Sequence, residues 1–329
     1  MKTFLMYENQ DFDLQQQLSA NEKALVQDLE LNTLFNAIAL GDEFLLKIAR
    51  QAVLSSLSEP NAIRYRQDIL KDCLKNPSIV RDIYRIPLES LTNKQKHWMG
   101  IFSRYPGGIL NSSLEMMQMF VDLLKKLKKI ADEHASNFQS AGFKRFFVMI
   151  KKELNDEYFA IVQDHLKELK FHDGVLLSAE LGKGNEGINY ILRKPHRKNL
   201  NWIQEIFTQG PPVYTFTLDP RDESGFRTLS YLNDRGVNLV ANAVAQSADH
   251  IDSFLNMLRI ELAFYIGCLN LSEQLAPLVG PISIPVPAVS SERKQPLVES
   301  KQPWSECKQG QINSKQPSSD WWPFPFERD

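Results

Sequence analysis

The sequence predicts a mainly α-helical protein: a multi-helix bundle interrupted by a small antiparallel β insertion and closed by one long return helix. Three observations predict it. From Ser224 to Leu275 apolar residues recur at helical spacing (Leu239, Ala243, Ala248, Ile251, Leu255, Leu258, Leu262, Tyr265, Leu269). That stretch is about 50 residues, roughly 75 Å of helix at 1.5 Å per residue. Upstream of residue 170, one segment after another repeats its apolar positions by threes and fours. Between the two, Val175–Leu181 reads as a strand and Ile188–Arg193 as its hairpin partner across a glycine-rich turn, with Val213–Leu218, rich in β-branched and aromatic residues, as a third strand.

The return helix sets the scale. Between Asn238 and Leu271 its only acidic or basic residues, histidine apart, are Asp249, Asp252, Arg259 and Glu261, so most of its faces must be buried. Gly236 is a candidate kink. The material that buries it comes first. A helix is expected over Asn21–Leu40, broken by Gly41-Asp42, then another over Glu43–Leu57, stopped before Pro60. Ala62–Leu74 is a third. Asn76-Pro77 places a capping residue before a proline at the first helical position and opens Ser78–Tyr84, with Leu88–Phe102 after it. Tyr105-Pro106-Gly107-Gly108 reads as a loop. Ser112 and Glu115 have capping-box spacing ahead of Leu114, Met117, Val121, Leu124, Leu127 and Ala131, with Lys125, Lys126, Lys128 and Lys129 on the opposite face. Phe143–Leu154 and Glu157–Lys170 complete the helical part. The resulting division is a helical core over 1–170, a β module over 171–223, the return helix over 224–276 and a tail over 277–329. The tail is proline-rich, then polar, with Lys-Gln pairs every seven residues. Its prolines forbid a coiled coil, and it is expected to be disordered.

Composition narrows the function. The net charge of −2 gives no global basic signature for nucleic acid. Cys73, Cys268 and Cys307 have neither metal spacing nor a disulfide pattern, which fits a cytoplasmic protein. No apolar run reaches ~18 residues, so no membrane span is expected. The run Gly182-Lys183-Gly184-Asn185-Glu186-Gly187 matches G-x-G-x-x-G, but a strand follows it where a dinucleotide site needs a helix, so it reads as a hairpin turn. No phosphate-cradling loop, nucleophile elbow or zinc-protease motif occurs. No catalytic residue, metal ligand or cofactor site is therefore expected. What remains is local positive charge around the hairpin: Lys183, Arg193, Lys194, Arg197 and Lys198 are candidate DNA contacts through phosphate.

Two stretches carry a family resemblance. NAIRYRQDILKDCLKNPSIVRDIY, from Asn61 to Tyr84, resembles the "YRQ…D…L…NP" segment of MutS-family DNA mismatch repair proteins, and Asp28–Phe35 resembles the opening of their core domain. Ala248–Leu271 is similar to their lever helix, and LLSAELGKGNEGINYILRK resembles the β part of members with short clamps. The resemblance spans roughly residues 20–287. It implies a core-and-lever module coupling a DNA-gripping clamp to a dimerised ATPase, with DNA as partner and a homodimer in full-length members. ATP and magnesium are implied only for the ATPase domain, whose motifs this sequence does not contain. The other reading of the same residues is a non-catalytic helical protein-interaction scaffold, supported by the acidic balance and by Trp321 and Trp322.

Overall fold

In the computed structural model the residues described are 1–55, 57–97, 105–172, 174–194, 214–278 and 283–287. Among these residues eight α-helices precede the sheet: α1 (Glu22–Asp28), α2 (Leu31–Ala39), α3 (Glu43–Leu54), α4 (Pro60–Lys75), α5 (Pro77–His97), α6 (Pro106–His134), α7 (Ala141–Glu153) and α8 (Asp156–Glu168). An antiparallel hairpin follows, β1 (Leu176–Leu181) and β2 (Gly187–Arg193), and then α9 (Glu223–Leu275). The mainly α class with a small antiparallel insertion and a long return helix is thus what the chain adopts.

Several boundaries differ from the sequence reading, each for a physical reason. Asn21–Leu40 is two helices, because Glu30 turns left-handed at φ 47° and lets both Val26 and Phe35 reach a small second core with Ile38, Ala49 and Leu54. The two segments around Pro87 fuse into α5. Proline removes the bond to the Ile83 carbonyl, but Ile83 and Ile86 are buried and packing holds the helix across the gap. Residues 98–102 of the expected Leu88–Phe102 helix lie outside the described residues. Helix α6 starts at Pro106, not Ser112. Proline is pre-organised for the first turn, and the cap arrives from another helix, where Asp234 Oδ1 accepts the Gly107 N–H at 2.9 Å. Ser112 is therefore inside the helix, donating to the Gly108 carbonyl at 2.6 Å. Tyr214–Leu218 forms no strand. Tyr214 and Phe216 stand 89% and 82% exposed, so no layer covers the face that would stabilise pairing, and the sheet has two strands. Val213 and most of the tail lie outside the described residues. Helix α9 runs without interruption through Gly236.

Side-chain pairs fix the helix directions. Arg81 of α5 bonds Asn270 and Glu273 near the end of α9, whereas Lys94 meets Asp252 at 2.7 Å, so α5 runs antiparallel to α9. Helix α6 starts beside Asp234 and places Lys126 against Glu89, near the midpoint of α5, so α6 runs parallel to α9. Phe120, Val121, Leu124, Leu127, Leu258, Leu262 and Tyr265 are fully buried in this three-helix seam. Each such side chain contributes ~1.5–3 kcal/mol of hydrophobic stabilisation. The most apolar 18-residue window of α9, mean hydropathy 1.3, has the length and composition to cross a membrane, and 67% of it is buried within this fold.

Three charges in the buried half of α9 are each answered. Asp252 takes Lys94, Arg259 lies over the Phe44 ring at 3.5 Å, and Glu261, 0% exposed, receives the N-terminal segment. That segment has no regular structure, yet Leu5, Met6 and Phe12 are buried. Several side chains anchor its backbone, among them Arg145, which donates to the Glu8 carbonyl at 2.5 Å. Leu5 N–H and Phe12 N–H donate to Glu261 at 2.7 and 3.3 Å. Tyr65 donates to the Phe4 carbonyl at 2.6 Å, Tyr265 to the Leu5 carbonyl at 2.5 Å and Arg66 to the Met6 carbonyl at 2.9 Å. These anchors hold Phe4 at a left-handed φ of 48°. Elsewhere, desolvation pushes the partly buried Cys268 thiol up to about 12 and raises buried Cys73 well above its ordinary value, so both stay protonated and unreactive.

Candidate nucleic-acid interface

The hairpin sits on α9 at the end of the bundle where α6 begins. Alternation along β1 turns Leu177 toward α9, and Gly236 leaves the space for it: a Cβ at Gly236 would lie 2.2 Å from Leu177 Cδ2. On β2, Tyr190 folds back over Gly187, where an added Cβ would meet its hydroxyl at 2.2 Å. Arg235 of α9 then lies over two rings, Tyr190 at 5.4 Å and Tyr231 at 5.2 Å, a cation–π ladder that ties hairpin to helix. Replacing Gly236 with leucine should pry this joint open at a cost of about 1–3 kcal/mol from overpacking. Backbone hydrogen exchange should then accelerate in β1 and β2 while the α5–α6 seam keeps its protection. Gly236→Ala should be milder, since alanine regains up to ~1 kcal/mol of helix propensity.

The structure distributes the sequence-predicted cations along the hairpin. Lys183 is exposed in the single helical turn Lys183–Asn185 at the tip, where Gly184 and Asn185 adopt the positive φ that the turn requires. Arg193 and Lys194 are at the base, about 20 Å away for a strand of this length. Arg193 Nε donates to Ser178 Oγ at 2.9 Å across the ladder, and Lys194 pairs with Glu168 of α8 at 2.5 Å. Arg197 and Lys198 lie outside the described residues. Arg193 and Lys194 are thus neighbours with local partners, while Lys183 stands apart at the tip.

Between hairpin and bundle lies an open cleft of about 500 Å3, lined by Tyr105, Pro106, Asn189, Tyr190, Tyr231, Asp234, Arg235 and Asn238. The basic motif did not point to it. The signal available in the sequence was Tyr231 and Arg235 four residues apart, on one face of a helix. The tyrosine on β2 joins them only through the register of the hairpin. Among the described residues no group of three or more His, Cys, Asp or Glu side chains gathers to hold a metal ion.

The described residues thus form a helical bundle with a small hairpin seated on one uninterrupted helix. A family model described as the MutS2 N-terminal domain matches residues 58–278, more than half of the chain. The chain belongs to that family, which makes it a MutS2-related protein. Searches among curated proteins and among solved structures gave no match.

Proposed function

We propose that this chain is the clamp-and-lever part of a MutS-type DNA-binding machine. The observation that carries the reading is the mounting of the hairpin. It is keyed to α9 by Leu177 in the space at Gly236 and by the Tyr190–Arg235 stack. From that joint α9 continues for about 58 Å to Leu275 as one rigid rod. A load on the hairpin is therefore carried along a single helix into the α5–α6 seam. In this reading the hairpin cations rest on the phosphate backbone, and the rod transmits the displacement to an ATPase domain, where ATP and magnesium would bind. Two copies would close around a duplex.

Binding of this kind is sequence-independent and salt-sensitive, because each phosphate neutralised releases counterions. Replacing Lys183, Arg193, Lys194, Arg197 and Lys198 together with alanine should lower duplex affinity at low salt. The slope of log affinity against log salt should flatten by about 0.9 for each phosphate no longer neutralised. A titration of labelled duplex at several salt concentrations reads both. An unchanged affinity and slope would sink the clamp assignment.

A further inference from the structure

At Ser283–Pro287 the chain that has left α9 lies against α4, with no regular structure of its own. Gln67 Nε2 donates to the Pro285 carbonyl at 2.8 Å, and Arg64 Nη2 donates to the Pro287 carbonyl at 3.2 Å. The chemistry matches. Proline offers a carbonyl and no N–H, and the guanidinium and amide that meet it act as donors. The spacing matches too. Arg64 and Gln67 are three apart on one helix face, about 4.5 Å along its axis. Carbonyls two residues apart in a polyproline II segment are separated by about 6 Å, a difference that two long side chains absorb.

The inner side of the same turn treats the front of the chain alike. Tyr65 and Arg66 donate to the Phe4 and Met6 carbonyls. The consecutive residues Arg64, Tyr65, Arg66 and Gln67 therefore take carbonyls from two irregular segments, Phe4 and Met6 on one side, Pro285 and Pro287 on the other.

We infer that the outer face of α4 is a docking surface for an extended proline-rich peptide, and that its occupant is Ser283–Pro287 of this chain. Proline suits the seat because its ring fixes φ near the bound geometry, which lowers the cost of ordering the segment. Docking makes one turn of α4 a staple between the N-terminal segment and the chain beyond α9, and it fixes where that chain leaves the bundle. This seat stands whether or not the hairpin grips DNA.

A nitroxide on the full-length protein tests it, attached at position 286 through Val286→Cys in a Cys307→Ser background. Val286 is 64% exposed, so the label projects away from α4, and Cys73 and Cys268 stay protonated and unlabelled. The spectrum should contain an immobilised component. Gln67→Glu keeps the side-chain shape but removes its donors, and with Arg64→Ala it should abolish that component. Both donors act at the surface, so far-UV ellipticity should not change. A Ser-Ile-Pro-Val-Pro-Ala peptide should release the label at roughly 10 mM, above the millimolar effective concentration that a short tether confers. The same peptide with alanine for both prolines should not. A mobile label in the unaltered seat, or an immobilised component that survives loss of both donors, overturns the docking surface. Equal displacement by the alanine peptide overturns the preference for proline.

Discussion

Replacing Glu261 with alanine should cost about 2–6 kcal/mol of folding stability, because a buried donor left unsatisfied costs ~1–3 kcal/mol and two are orphaned. They are the Leu5 and Phe12 N–H groups, each bonded to this carboxyl and each buried. The substitution should also release Leu5, Met6 and Phe12 from the core, so chemical denaturation should show a lower midpoint and proteolysis should open at the N-terminus. Glu261→Gln supplies the finer test. Desolvation raises the Glu261 pKa above its ordinary value of 4.5, against the opposing pull of the backbone donors. A carboxyl whose folded pKa is raised binds its proton more tightly when folded. Its contribution is fully present below the ordinary value and is lost as pH rises through the raised one. Relative to Glu261→Gln, wild type should therefore lose stability as pH climbs above 4.5. A difference that stays flat with pH would mean that burial does not perturb this carboxyl.

Asp72→Ala should be nearly as damaging, at about 2–4 kcal/mol. Asp72 is 2% exposed and belongs to α4, yet its carboxylate works at the start of α7. It accepts the Gln139 N–H at 3.0 and 2.9 Å and the Ser140 N–H at 2.7 Å. It thus satisfies donors that a helix start leaves unpaired and places negative charge at the positive end of that helix. Removing it strands the Ser140 N–H in the interior, at ~1–3 kcal/mol, and takes the favourable dipole interaction with it. An asparagine side chain keeps one acceptor oxygen, so Asp72→Asn should recover about half of that destabilisation. Thermal unfolding of the two variants checks the order. Equal stability of Asp72→Ala and wild type would show that water replaces the carboxylate.

What could be read from the sequence follows from how each signal is encoded. Helix α9 was legible because its apolar repeat is long and its charges are few, and the hairpin because the glycine-rich run Gly182–Gly187 sits between two short segments with strand character. Glu30, Pro87 and Ser112 misled for one reason: the local residue suggests one geometry and distant packing imposes another. Glu30 has no intrinsic preference for a left-handed turn, and Pro87 is a helix breaker that buried neighbours overrule. Cap exchange is a further blind spot. Asp72 and Asp234 read as ordinary helix charges, and each caps a different helix that only the tertiary fold brings near. The candidate site was half legible. Its cations cluster in sequence and are visible there, whereas the tyrosine–arginine ladder assembles from β2 and α9, two elements far apart along the chain.

The seat of the N-terminal segment has a consequence for biosynthesis. Leu5 pairs with Glu261 across 256 residues of chain, so this segment is made long before the side chain that receives it. At ~5–20 residues per second, that interval is on the order of tens of seconds. Throughout it Leu5, Met6 and Phe12 have no native place to go, and neither do the faces of α5 and α6 that await α9. This chain cannot complete its core from the front during synthesis. The nascent helices must wait, with apolar surface uncovered, for a return helix that begins only at Glu223.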